Sequence, residues 1–140
     1  MIISTFMGYS AQGQTVKSVA DYKAEALAVV QTYNVKESKE LVGDDSVVFV
    51  DVREADELAK QGRIEGAVHI PRGVLEFHID PGSSMHKDIF SSGKKIIFYC
   101  ATGGRSVLAA KLAMDMGVTD AVHLDGGFKA WIEADGATEP

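Results

Sequence analysis

Lys95-Ile96-Ile97-Phe98-Tyr99-Cys100-Ala101-Thr102-Gly103-Gly104-Arg105-Ser106 changes character twice within twelve residues. Its first five positions are β-branched or aromatic apart from Lys95, without the polar alternation of a strand that faces water, so they predict a strand covered on both faces. Cys100 closes the run and the glycine pair breaks it. From Ser106 to Met116 the chain is apolar at Val107, Leu108, Ala109, Ala110, Leu112, Ala113, Met114 and Met116, with Gly117 placed to end a helix. Apolar on nearly all sides, this helix is expected to be packed inside, with Met114 and Met116 as filler. Strand, short loop and buried helix in succession predict a parallel sheet between two helical layers.

Outward from this run, Val47-Val48-Phe49-Val50 follows the Asp44-Asp45-Ser46 turn as a second buried strand. Ala67-Val68-His69-Ile70 and Ala121-Val122-His123-Leu124 add shorter ones, giving four. A short helix is expected from Glu37 to Val42, ended by Gly43, and Asp80-Pro81-Gly82-Ser83-Ser84 reads as a surface loop. Val19, Tyr22, Ala26, Val29, Val30 and Tyr33 recur at helical spacing behind a Ser18-x-x-Asp21 capping pattern, predicting an amphipathic helix of about four turns. Met1 to Gln14 lacks periodicity and reads as a loose arm. The expected architecture is α/β: a mostly parallel central sheet flanked by helices on both faces, with an N-terminal helical extension. Residues 1–34 form the arm and packed helix, and residues 35–140 the domain proper. Sheets of this kind place their sites beyond the C-terminal ends of the strands, where Cys100 falls.

The 140 residues, 46% hydrophobic and 24% charged, suit one soluble core. A net charge of -6 and a pI near 5.1 oppose a phosphate-backbone binder, so nucleic acid is not an expected partner. No apolar run approaches the roughly 20 residues needed to cross a bilayer, and the first basic residue is Lys17, so neither a membrane nor a secretory signal is expected and the location is taken as cytoplasmic. The four histidines show no pair at three- or four-residue spacing, and one cysteine cannot make a cysteine-rich zinc site. The reading therefore assigns no metal and no cofactor. A lone cysteine also leaves no second thiol in the chain to resolve an oxidised or sulfur-loaded Cys100.

Taken by itself, Cys100 would be a small buried hydrophobe, the state of most free cysteines. Its neighbours argue otherwise. A helix N-terminus offers unsatisfied N–H groups and partial positive charge, which favour the reactive thiolate. Gly103 and Gly104 let successive amides turn inward and a substrate approach closely, and Arg105 adds a permanent cation at the rim. The candidate site is thus Cys100 as nucleophile with Ala101, Thr102, Gly103, Gly104 and Arg105 as an anion-binding loop, suited to an anionic donor such as thiosulfate.

Four segments, Asp51-Val52-Arg53-Glu54, Gly62 through Pro71, Tyr99 through Ser106, and Leu124 through Trp131, resemble the rhodanese homology domain in order and spacing, between Val35 and Gly136. The resemblance implies that Cys100 accepts sulfane sulfur as a persulfide and passes it to a thiophilic acceptor such as cyanide, a small thiol or a protein thiol. It implies also that the amides from Ala101 to Arg105 cradle that persulfide. Two alternatives stand beside it. One is a persulfide carrier or regulatory binding module without fast turnover. The other is a cysteine-dependent phosphatase, disfavoured because phosphatase loops place five residues between cysteine and arginine whereas four separate Cys100 from Arg105. Outside the site, Asp51 is expected to accept backbone hydrogen bonds and Arg53 to pair with a carboxylate, Arg72 is a candidate for the rim, His69 a packed strand residue, and Trp131 a core anchor on a short helix.

Overall fold

The computed structural model describes residues 15–140, and the apolar runs of the sequence are its strands. Along the chain lie α1 (Val19–Val29), β1 (Gln31–Tyr33), α2 (Val35–Lys39), β2 (Val47–Asp51), α3 (Ala55–Gln61), β3 (Arg63–Ile64) and β4 (Val68–His69). They are followed by α4 (Leu75–Ile79), β5 (Lys95–Tyr99), α5 (Gly104–Asp115), β6 (Ala121–Leu124), α6 (Gly127–Glu133) and β7 (Thr138–Glu139), with 3₁₀ turns at Arg72–Val74 and Asp88–Ser91. β1, β6, β5, β2 and β4 form one sheet in that order, every pair parallel. β3 and β7 make a small antiparallel pair beside it.

Alternation along the strands divides the core into two layers. Ile96 and Phe98 of β5 face one side with Val50, Val52 and Ala121, where Ala26 of α1, Leu75 and Ile79 of α4, and Val107, Ala110 and Ala113 of α5 cover them. Ile97 and Tyr99 face the other with Phe49, Val122 and Leu124, under Val35 of α2 and Phe128 and Trp131 of α6. Each fully buried Ile or Phe contributes about 1.5–3 kcal/mol, so helices on both faces are what the continuous apolar strands require. Trp131 is the expected anchor: it is fully buried, meets Phe49 edge-on at 5.6 Å and donates its indole N–H to the Ala137 carbonyl.

The N-terminal helix differs from its expectation. Ser18 caps it by accepting from the Asp21 amide, but α1 ends at Val29; Val30 is already extended, and Gln31–Tyr33 form a fifth parallel strand on β6. Val30 and Tyr33 fit the helical spacing by coincidence, whereas Thr32 and Tyr33 are better strand formers than helix formers. Nor is the apolar stripe buried: Val19, Tyr22 and Val29 are more than half exposed, and Ala26 alone of the helix is in the core. The second helix begins earlier than expected, at Val35 behind the Asn34 cap, and ends at Lys39. α5 buries its first two turns, but Met114 and Met116 lie in the open at its far end instead of filling the core. The loose arm assigned to Met1 to Gln14 lies outside the described residues.

Candidate active site

Cys100 keeps the alternation of β5 for one more residue, so its side chain joins Ile96 and Phe98 on the face covered by α1 and α5. It is 1% exposed and sits at the floor of a hollow of about 270 Å³ lined by Val19, Lys23, Thr102, Gly104, Arg105 and Leu108. The Gly103 amide donates to Sγ at 3.1 Å, and Ser106 Oγ stands 3.5 Å away. Burial pushes the thiol up, but the Ser106 hydroxyl and the amides of Ser106, Gly103 and Thr102 outweigh it, leaving Cys100 below the ordinary cysteine value.

Two glycine turns impose this geometry. Gly103, at φ 120°, precedes α5, and a Cβ there would stand 3.2 Å from His123 Cε1. Gly127, at φ 60°, lets α6 begin directly against the loop: a Cβ would lie 2.6 Å from the Cys100 carbonyl oxygen. That carbonyl accepts from the Phe128 amide at 2.8 Å, and the Ala101 carbonyl from the Lys129 amide at 3.0 Å. A trans peptide points its N–H opposite to its C=O, so anchoring both carbonyls on α6 turns the Ala101 and Thr102 amides away from that helix.

Arg105 is less free than a rim cation needs to be. Its guanidinium makes a bidentate pair with Glu57 of α3, at 2.7 and 2.9 Å, and the arginine holds that carboxyl down at about 2. Gly104 opens α5, and Thr102 faces outward beside a second hollow of about 500 Å³ lined also by Ala101, Gln61, Phe128, Lys129, Ile132 and Glu133. Arg72 does not line the hollow at Cys100 and is paired with Glu76 at 3.0 Å. Asp51 and Arg53 have the structural role expected of them: both are fully buried, Asp51 accepts from the Arg53 amide and guanidinium, and the guanidinium also donates to the Gly62 carbonyl and lies 4.2 Å from the Phe128 ring. His69 packs in β4, its Nε2 2.7 Å from the Arg53 carbonyl.

Four participants escaped the sequence reading. Ser106 Oγ lies 2.9 Å from Nδ1 of His123 and 3.2 Å from the Gly103 carbonyl oxygen. His123 is 3% exposed, and burial pushes its imidazole below the ordinary histidine value, with Asp125 opposing and Lys23 assisting. Strand alternation could have found it, because His123 pairs in register with Phe98, two residues before Cys100 on the same face. Glu57 lies on α3, where its carboxylate also accepts from the Glu54 amide, and no sequence signal ties it to the loop. Lys23 comes from a helix nearly eighty residues away, and no local signal marks it.

Comparison with known proteins bears on the same elements. "Thiosulfate sulfurtransferase/rhodanese-like domain-containing protein 3" of Mus musculus is 28% identical over 69% of this chain, which spans 65% of that protein's length. The "Thiosulfate:glutathione sulfurtransferase" of Saccharomyces cerevisiae is 32% identical over 76% of this chain and 81% of its own. Among solved structures, a Rhodopseudomonas palustris protein described as of unknown function and as a possible tyrosine phosphatase superposes with TM-score 0.86 at 42% identity, covering 90% of this chain and 98% of that one. The rhodanese-like domain family matches residues 34–134, which hold every strand of the large sheet but β1 together with the Cys100 loop and α6. A match of that extent, over the segments that build the site, makes this chain a member of the rhodanese-like domain family.

Proposed function

We propose that the chain is a sulfurtransferase that carries sulfane sulfur on Cys100 from an anionic donor such as thiosulfate to a thiophilic acceptor. The observation that carries the reading is a buried cysteine sulfur facing backbone amides at a strand's end, its thiol lowered despite burial. The Cys100 thiolate attacks the outer sulfur of thiosulfate; the new S–S bond forms as the donor's S–S bond breaks, and sulfite leaves with the bonding pair. The persulfide retains one negative charge, which the Thr102, Gly103 and Ser106 amides are placed to hold. An acceptor nucleophile, cyanide or a small or protein thiol, then takes the outer sulfur and returns the thiolate. With one cysteine in the chain, the acceptor must be another molecule, and the donor leaves before it binds.

Incubation with thiosulfate alone should release sulfite and yield a chain heavier by one sulfur atom, read by intact-protein mass spectrometry. Cyanide should remove the added mass, and Cys100→Ser should fold but accept no sulfur. The description of the Rhodopseudomonas palustris protein raises the phosphatase reading. A loop of four residues between Cys100 and Arg105, with Arg105 turned to Glu57, argues against a phosphoryl group that needs room for three equatorial oxygens. Hydrolysis of an aryl phosphate through Cys100, with no sulfane donor loading the wild type, would replace the sulfurtransferase reading. Persulfide formation without turnover by any small acceptor would identify a carrier.

A further inference from the structure

The mouth of the Cys100 hollow carries two cations, and only one is uncommitted. Arg105 is locked to Glu57 by two short hydrogen bonds. Lys23 lines the same hollow from α1, half-buried, and its Nζ is 3.8 Å from the point where a Cβ on Gly104 would stand. None of the ion pairs among the described residues uses it, and residues 1–14 hold no Asp or Glu that could do so. The neighbouring acid of α1, Glu25, is taken by Lys17. A lysine whose stem is partly buried over an amide-lined hollow, with its ammonium unpaired, is placed to meet an anion.

We propose that Lys23 is a donor-binding residue: α1, which lies outside the family match at 34–134, completes the anion site over Cys100 and selects divalent sulfur oxyanions over uncharged or singly charged donors. The identity of the donor rests on the sulfurtransferase reading; the positive mouth does not. This accounts for what α1 does in the fold. It buries only Ala26, yet it stays packed on α5 and leaves Lys23 over the first turn of that helix. The backbone amides act on the sulfur at the floor, whereas the Lys23 ammonium at the mouth matches the sulfonate end of the donor, which never bonds to the enzyme.

The test uses the full chain with Lys23→Met and Lys23→Arg. Lys23→Met should raise the KM for thiosulfate about three- to tenfold with a smaller effect on kcat, the worth of one unit charge several ångströms away near a surface, and Lys23→Arg should restore it. An independent readout is the ratio of Cys100 alkylation rates by iodoacetate and iodoacetamide, which senses charge at the mouth whatever the enzyme does. The ratio should fall about three- to tenfold in Lys23→Met, and added salt should lower it in wild type more than in the variant. A fall in the ratio in a protein that no sulfane donor loads would uphold the anion site and sink the sulfurtransferase reading. An unchanged ratio and KM in Lys23→Met, with wild type turning over thiosulfate, overturns the proposal, as does a loss confined to kcat.

Discussion

At the scale of single residues, the reactivity of Cys100 depends on who owns the Ser106 proton. Ser106 Oγ is within reach of the Gly103 carbonyl, His123 Nδ1 and the cysteine sulfur, but it has one hydrogen to give. Burial pushes the His123 imidazole below its ordinary value and so favours the neutral ring. If its proton is on Nδ1, that N–H occupies a hydroxyl lone pair and leaves the Ser106 hydrogen free for the thiolate. His123→Leu should then slow iodoacetamide alkylation of Cys100 on the acid side of its midpoint by about fivefold, the equivalent of one hydrogen bond of about 1 kcal/mol, and move that midpoint upward. His123→Asn, whose amide nitrogen sits near the place of Nδ1, should retain most of the wild-type rate. A His123→Leu protein with the wild-type pH profile would show that the imidazole only fills space. The sign follows from the lowered thiol: a group that stabilises the thiolate keeps alkylation fast further down the pH scale, and its loss withdraws that advantage first on the acid side.

At the scale of elements, the approach of α6 to the loop makes two glycines differ in what they control. Gly43 and Gly127 both have positive φ, 83° and 60°, but a Cβ on Gly43 meets nothing within 4 Å whereas one on Gly127 strikes the Cys100 and Ala101 backbone. Gly43→Ala should cost only the conformational strain, about 1 kcal/mol, and leave Cys100 reactivity alone. Gly127→Ala should cost about 2–4 kcal/mol in thermal or urea unfolding and also raise the Cys100 midpoint, because the anchored carbonyls must move. Equal costs for the two, or a Gly127→Ala protein with unaltered alkylation, would mean that α6 does not set the loop. These elements were legible to different degrees. β5 announced itself because a strand covered on both faces leaves an unbroken apolar run, β6 because it keeps such a run but for His123, and Gly103 stands where the backbone needs a positive φ. β1, at the sheet's edge with Gln31 and Thr32 exposed, leaves no such run, and β3 and β7 are too short to carry a pattern. Likewise Cys100 and its amides were readable from neighbours in sequence, while Lys23 and Glu57 reach the site only through tertiary packing.

Across the whole molecule, the Asp51–Arg53 pair joins parts that the sequence holds far apart. Arg53 links the end of β2 to the Gly62 carbonyl before β3 and lies against Phe128 of α6, whose amide holds the Cys100 carbonyl. Tyr99 completes the tie from the central strand, since its hydroxyl accepts from the Ile64 amide of the small sheet. Two charges that are fully buried attract strongly, but bringing them out of water costs nearly as much, so the net worth of the pair is small while an orphaned partner is expensive. Asp51→Asn or Arg53→Met alone should therefore destabilise the fold by about 3–5 kcal/mol, whereas the double variant should cost clearly less than the sum of the two. Urea unfolding of the four proteins measures the coupling. Because Arg53 leans on α6, the single variants should also disturb Cys100 alkylation under conditions where they remain folded, even though neither side chain lines the hollow that leads to the sulfur. Additive losses of below about 1 kcal/mol each would place the pair in water. The conserved reactivity of Cys100 in such variants would show that β2 and α6 hold the loop independently of each other.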